Sequence, residues 1–167
     1  MRYLGAALLA AGAALAGRWW VARLRGREEC LEGLVLMLNR MQTELEYSAP
    51  PLEGLLECLC ATELGAASSL VRVCRERLAV CGDFPSAWRE AVKRTAPRLN
   101  AEDRASLLAF GQGLGTTDLN GQRRGLALYL RLFDEARTRA RSEREKYGAY
   151  LPRLSLLLGL CGAVLLL

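Results

Sequence analysis

The sequence predicts an all-α protein in which an antiparallel six-helix domain lies between two terminal transmembrane helices. Two observations predict this fold. The 167-residue chain has no charged residue over 3–17 or over 154–167, although 25% of all its residues are charged. Between these ends, apolar residues recur at helical spacings of three and four, and no segment keeps the alternating pattern of a β-strand. We therefore expect helices in lipid at both ends and a helical domain between them.

The N-terminal apolar segment is predicted to be a membrane anchor. A helix over residues 3–22 would be about 30 Å long, which is one hydrocarbon thickness. Arg18 lies near its end, where a long side chain reaches the headgroups, and Trp19-Trp20 is typical of the interface. The alternative is a signal peptide, because Ala-Leu-Ala at 14–16 has the form of a cleavage site. The arginines that follow, with no acid among them, favour a retained anchor whose basic side is cytoplasmic.

The C-terminal segment predicts a second, shorter span. A helix over 151–167 would be about 25 Å long, and the stretch 154–167 would be apolar on every face, which favours lipid over a soluble core. Basic residues precede it and outnumber the acids Glu143 and Glu145: Arg137, Arg139, Arg141, Arg144, Lys146 and Arg153. The predicted organisation is a transmembrane helix over 1–22, a cytoplasmic helical domain over 23–150 and a transmembrane helix over 151–167.

Six helices are predicted in the middle of the chain. The first continues out of the membrane, and its inward seam repeats at spacings of three and four: Leu31, Leu34, Leu38, Met41 and Leu45. Prolines 50 and 51 end it and open the second helix, which Gly65 is expected to close. The third runs over about 67–81 and stops at Gly82. Because the first and last helices must return to the same bilayer, we expect them to pair antiparallel.

The remaining helices are predicted from caps and apolar faces. Asp83-Phe84-Pro85 opens the fourth helix, which ends before Pro97, and Asn100 caps the fifth. The sixth begins after Gly115, turns basic and enters the membrane. The residues expected to face inward from the second helix onward are Leu52, Leu55, Leu56, Leu59, Leu70, Val71, Cys74, Leu78, Cys81, Trp88, Ala91, Val92, Leu107, Leu108, Phe110, Leu114, Leu119, Leu126, Tyr129, Phe133, Ala136 and Ala140.

The composition argues against an enzyme. The chain has no histidine, which excludes Ser-His-Asp and Cys-His catalysis and every histidine-based metal site. Its six cysteines lack a pair of C-x₂₋₄-C knuckles, and Cys58 and Cys60 would lie about 200° apart on a helix. They are therefore interpreted as small buried hydrophobes. No catalytic residue, metal, cofactor or small-molecule substrate is predicted. A membrane-bound enzyme with a reactive Cys30 thiolate, beside the arginines of 23–27, is the alternative from another class.

Neighbouring acids and the net charge also receive structural interpretations. Glu44 and Glu46, like Glu102 and Asp103, do not face each other on a helix, so we expect solvated or capping charges. The formal net charge of +5 is explained by the basic flanks of the two spans. These flanks suit an anionic lipid surface, and no nucleic acid is predicted as a partner. No phosphate-binding loop stands between a strand and a helix, so no ATPase is encoded.

Three short motifs remain, and together they resemble a known family. They read Glu44-x-x-Tyr47-x-x-x-Pro51-Leu52, then Ser86-Ala87-Trp88, then Phe110-Gly111-x-x-Leu114-Gly115-x-x-Asp118-x-x-x-Gln122. In their order and spacing, and in the two apolar ends, the sequence resembles the stage III sporulation protein AB family of endospore-forming bacteria. The residues themselves predict two inter-helix corners, with Glu44 and Asp118 as recognition or capping charges at helix ends.

The resemblance implies more than the residues alone. It implies a domain similar to the helical cytoplasmic domain of F-type platform proteins in type II secretion and type IV pilus systems. It also implies a place in the mother-cell membrane around the forespore, with a secretion-type ATPase and other channel subunits as partners and self-association left open. The alternative is a secreted helical binding module that is anchored at its C-terminus after signal-peptide cleavage.

Overall fold

The computed structural model describes residues 2–48, 50–114 and 118–165, with the backbone alone described at 2–10, 13–14, 149, 151–156 and 158–165. These parts of the chain form six α-helices and one short 3₁₀ helix at Gly65–Ala67, and they contain no strand. The prediction of an all-α chain with six helices is confirmed. The helices are α1 (Arg2–Tyr47), α2 (Leu52–Cys60), α3 (Ser68–Cys81), α4 (Phe84–Thr95), α5 (Ala101–Gly113) and α6 (Leu119–Leu165).

The chain divides into two compact units. One is Arg27–Thr138, which holds α2 to α5 and the inner parts of α1 and α6. The other is Met1–Gly26 with Arg139–Leu167. Among the described residues, no helical stretch is both long and apolar enough to cross a bilayer. The predicted boundaries at 22/23 and 150/151 stay predictions.

Local sequence rules explain most helix ends. Gly82 adopts the left-handed conformation (φ +66°) that stops α3, as predicted. Asp83 and Asn100 cap α4 and α5 by accepting hydrogen bonds from the backbone N–H of Ser86 (3.1 Å) and Asp103 (2.7 Å). The prediction for Gly65 is wrong, because α2 already ends at Cys60. Gly65 instead has φ +56° and begins the 3₁₀ helix, a turn that its lack of a β-carbon permits.

The core is built on the predicted seam of α1. All five of its residues are buried, and the largest fully buried side chains of the other helices include Leu59, Val71, Leu107 and Phe133. Arg123 of α6 donates through Nη2 to the carbonyl of Leu45 (3.0 Å), which joins the end of α1 to the start of α6. This contact is the one expected where two long helices run antiparallel.

Two residues predicted to face inward are exposed. Cys81 lies in the last turn of α3, where its Sγ donates to the carbonyl of Arg77 (3.0 Å) instead of packing in the core. Leu119 is the first residue of α6 and is 40% exposed, since no preceding helical turn covers it. Leu52, Leu78, Leu108 and Tyr129 are half-buried, and the other inward predictions are buried.

A buried ion pair overturns one interpretation from the sequence. Asp103, expected to be solvated or capping, is a buried side chain with 3% of its surface exposed. Its Oδ2 accepts a hydrogen bond from Arg27 Nε at 2.8 Å, and Arg27 Nη2 lies 3.4 Å from Oδ1. The pair links α1 to the first turn of α5 across 76 positions of sequence. The spacing of acids along one helix gives no sign of an ion pair whose partners are so far apart in sequence.

A glycine that sequence analysis passed over sets the distance between α1 and the 3₁₀ helix. A β-carbon at Gly33 would lie 2.8 Å from the carbonyl oxygen of Leu64 and 2.8 Å from the amide nitrogen of Ala67. Both atoms belong to backbone, which cannot move aside as a flexible side chain can. The close approach therefore requires glycine at this position of α1.

Candidate interaction groove

The two longer motifs meet at one groove. It encloses about 310 Å³ and is formed by the end of α1, the proline link, α2, the end of α5 and the start of α6. We call it the motif groove, and its lining is Leu45, Pro50, Pro51, Leu52, Leu55, Leu114, Leu119 and Gln122. Four predicted site residues, Pro51, Leu52, Leu114 and Gln122, are thus brought together although they lie far apart in sequence. The two predicted corners are one place in the fold.

The lining of the groove is mostly apolar. Seven of its lining residues are apolar, and Gln122 supplies the one side-chain amide. Exposed acids adjoin the lining residues in sequence: Glu46 after Leu45, Glu53 after Leu52 and Asp118 before Leu119. Arg123, which follows Gln122 in sequence, donates to the carbonyl of Leu45. Such a lining can accept a bulky apolar side chain.

Glu44 and Asp118 serve local structure beside the groove. Asp118 Oδ1 accepts a hydrogen bond from the backbone N–H of Gly121 (3.1 Å), so it caps the start of α6. Glu44 forms an ion pair with Arg40 (2.7 Å), and Ser48 Oγ donates to its Oε2 at 3.4 Å. Tyr47 is the last residue of α1 and is 86% exposed, so its ring is available to a partner.

Three further motif residues belong to the core and not to the surface. Trp88 is buried and donates through Nε1 to the carbonyl of Leu107 (2.8 Å). Its ring centroid lies 5.7 Å from those of Phe84 and Phe110. Gly111 packs against the same indole so closely that a β-carbon would overlap it. These residues pack α4 against α5. Gly115, the last predicted site residue, lies outside the described residues.

The cysteines do not favour the reactive-thiolate alternative. Burial raises the pKa of the Cys30 thiol, and the opposing effect of Arg98 is smaller. Burial likewise raises the pKa of Cys74 to about 12. A thiol that stays protonated near pH 7 is a poor nucleophile. Within the described parts of the chain, no group of three or more Cys, Asp or Glu side chains could hold a metal ion.

These features define a class: a helical bundle whose motif residues build an apolar contact groove. The sequence profile described as stage III sporulation protein AB (spore_III_AB) matches residues 2–167, and the chain belongs to this family. A solved structure titled "Stage III sporulation protein AB (SpoIIIAB)" is similar with a TM-score of 0.62 and 20% identity, over 72% of this chain and 98% of that one. No curated protein matches the sequence. Membership of the family implies a role in sporulation.

Proposed function

We propose that the protein is a non-enzymatic platform subunit of a secretion-like channel between mother cell and forespore. In this role it links a cytoplasmic secretion-type ATPase to the membrane-embedded part of the assembly. The observation that carries the proposal is the motif groove, because a subunit that works by contact needs a surface, not a reaction centre. Membership of the family supports a role in sporulation, and the groove lined by motif residues supports a role in protein contact.

The groove limits the chemistry of the partner. A volume of about 310 Å³ between the two helix corners suits one or two large apolar side chains. Burying such a side chain contributes about 1.5–3 kcal/mol. Exposed Glu46, Glu53 and Asp118 favour lysine or arginine on either side of that anchor. The expected ligand is therefore a segment of another channel subunit with an apolar anchor between basic residues.

Replacing Leu119 with glutamate should remove this contact. Leu119 is 40% exposed, so the substitution places a charge in the groove without opening the core. Losing the contact between Leu119 and the apolar anchor of the partner should cost about 2 kcal/mol of binding, which corresponds to about a 30-fold weaker complex. The measurement is co-purification of the channel subunits from sporulating cells that carry only the variant, together with the yield of heat-resistant spores.

Val80→Glu is the matched control, because Val80 is 81% exposed on α3 and is not part of the groove. We expect it to leave both readouts near the unsubstituted level. Normal subunit recovery and spore yield with Leu119→Glu, in a protein that keeps its helical circular dichroism, would contradict the role given to the groove.

We also propose that both ends anchor the chain in the mother-cell membrane around the forespore, with the middle in the cytoplasm. The charge-free stretches 3–17 and 154–167 and their basic flanks support this topology. A single cysteine at exposed Ser68, in a chain without its native cysteines, should react with an impermeant maleimide only after the cytoplasm is opened. Labelling of intact cells would instead favour the secreted, C-terminally anchored module.

A further inference from the structure

One face of α6 carries two exposed leucines next to two half-buried glycines. Gly121, Gly125, Leu128 and Leu132 follow one another at spacings of four, three and four, and we call them the exposed seam. Leu128 is 56% exposed and Leu132 is 40% exposed. The core face of the same helix is a separate set that includes Leu126 and Phe133, which are 1% exposed. The spacing of the exposed seam is that of the a and d positions of a coiled coil.

Gly125 points to a contact from outside the domain. A β-carbon built there would meet nothing within 4 Å, so no packing inside the chain requires glycine. Glycine inside a helix costs about 0.5–1 kcal/mol relative to alanine. The position therefore lowers helix stability without an internal gain. A second helix that packs closely against α6 would explain the glycine, because only a residue without a side chain permits that approach.

We propose that the exposed seam pairs with the exposed seam of a second copy, with the two α6 helices antiparallel. In an antiparallel pair, a positions face d positions of the partner. Leu128 then lies opposite Gly125 of the other copy, and Leu132 lies opposite Gly121. Every layer combines one large and one small side chain, which is the arrangement that packs without voids or overlap.

The alternative orientation fits less well. A parallel pair would place Leu opposite Leu in two layers and Gly opposite Gly in the other two, so the helices could not keep one separation. The antiparallel contact is also reciprocal, since the same residues face each other from both copies. It therefore closes into a twofold dimer and does not extend into a filament.

The size and charge of the seam predict a weak association with a characteristic salt response. Stable interfaces bury about 1,200–2,000 Å² in total, and four layers over about 17 Å of helix fall at or below the low end of that range. Arg124 and Arg131 are exposed beside the seam and would lie along the same edge in both copies. Because like charges are screened by salt, the dimer should become tighter, not looser, as ionic strength rises.

Two single-cysteine variants test the orientation in the purified full-length chain without its native cysteines. Positions 121 and 132 of opposite copies coincide in the antiparallel dimer, whereas each position is about 16 Å from its own counterpart. A disulfide needs Cα atoms about 4.4–6.8 Å apart. We expect Gly121→Cys mixed with Leu132→Cys to give disulfide-linked dimers, and neither variant alone to do so.

The outcomes separate the possible occupants of the seam. Self-linkage of each variant alone would show a parallel pair and overturn the proposal. In the purified protein, disulfide linkage no greater than that of Val80→Cys would show that the exposed seam does not bind a second copy. The same variants can be oxidised in cell membranes, and linkage there to a different protein would also overturn the proposal. A double variant with both Leu128→Lys and Leu132→Lys should have a dimer dissociation constant, measured by sedimentation, that is at least about tenfold higher. None of these results depends on the motif groove, so the platform proposal is tested separately.

Discussion

Replacing Asp103 with alanine should lower the free energy of unfolding by about 3–5 kcal/mol. The substitution leaves Arg27 without its carboxylate, while only 14% of the arginine side chain is exposed to water. The cost comes from a largely buried guanidinium that loses the carboxylate of Asp103, and not from the Coulomb attraction of the intact pair. The measurement is chemical denaturation of the purified protein followed by circular dichroism, with Glu102→Ala as the matched control. Glu102 is the exposed neighbour on the same helix and should cost far less.

A double replacement separates the two explanations. Arg27→Met combined with Asp103→Leu removes both charges and keeps the volume apolar, and buried ion pairs replaced in this way are often neutral in stability. We expect the double variant to recover most of the loss seen with Asp103→Ala. A double variant as unstable as the single one would show that the geometry of the ion pair itself holds α1 to α5. A loss below about 1 kcal/mol for Asp103→Ala would contradict the stabilising role given to the contact of Arg27 with Asp103.

The six helices could be predicted because their signals are local. The seam of α1 repeats every three or four residues, and the caps Asp83 and Asn100 lie next to the backbone groups that they bond. The errors arise at the ends of helices, where periodicity gives no information. Leu119 continues the apolar pattern of α6, but the helix begins at that residue and leaves it exposed. The sequence predicts that Gly65 ends α2, which is five residues beyond the true end at Cys60.

The candidate site could be predicted only as a set of residues. Their order in the chain gives no distance between Pro51 and Gln122, which the fold brings to one groove. Nor does it separate surface from core: Trp88 and Gly111 occur in motifs like the groove residues, yet they pack against each other in the interior. The ion pair of Arg27 with Asp103 had no local signal, because its partners are 76 positions apart. Long-range contacts of this kind are set by how whole helices pack.

Replacing Gly111 should also have a large effect on the free energy of unfolding. Gly111→Ala should lower the free energy of unfolding by about 3 kcal/mol, at the upper end of the usual cost of overpacking a core. The new methyl group would overlap the Trp88 indole, and several contacts oppose a shift of that ring. Its Nε1 is bonded to the carbonyl of Leu107, and Phe84 and Phe110 lie against it. The measurement is the denaturation midpoint together with Trp fluorescence.

Gly113→Ala is the matched control, since it lies in the same helix and a β-carbon there meets nothing within 4 Å. A double-mutant cycle then assigns the cause. In a Trp88→Ala background the indole is gone, so Gly111→Ala should become neutral or stabilise the helix by up to about 1 kcal/mol. An equal loss in both backgrounds would show that the glycine is needed for the backbone of α5 and not for the approach of Trp88. The close contact of Gly111 with Trp88 would then have no part in holding α4 against α5.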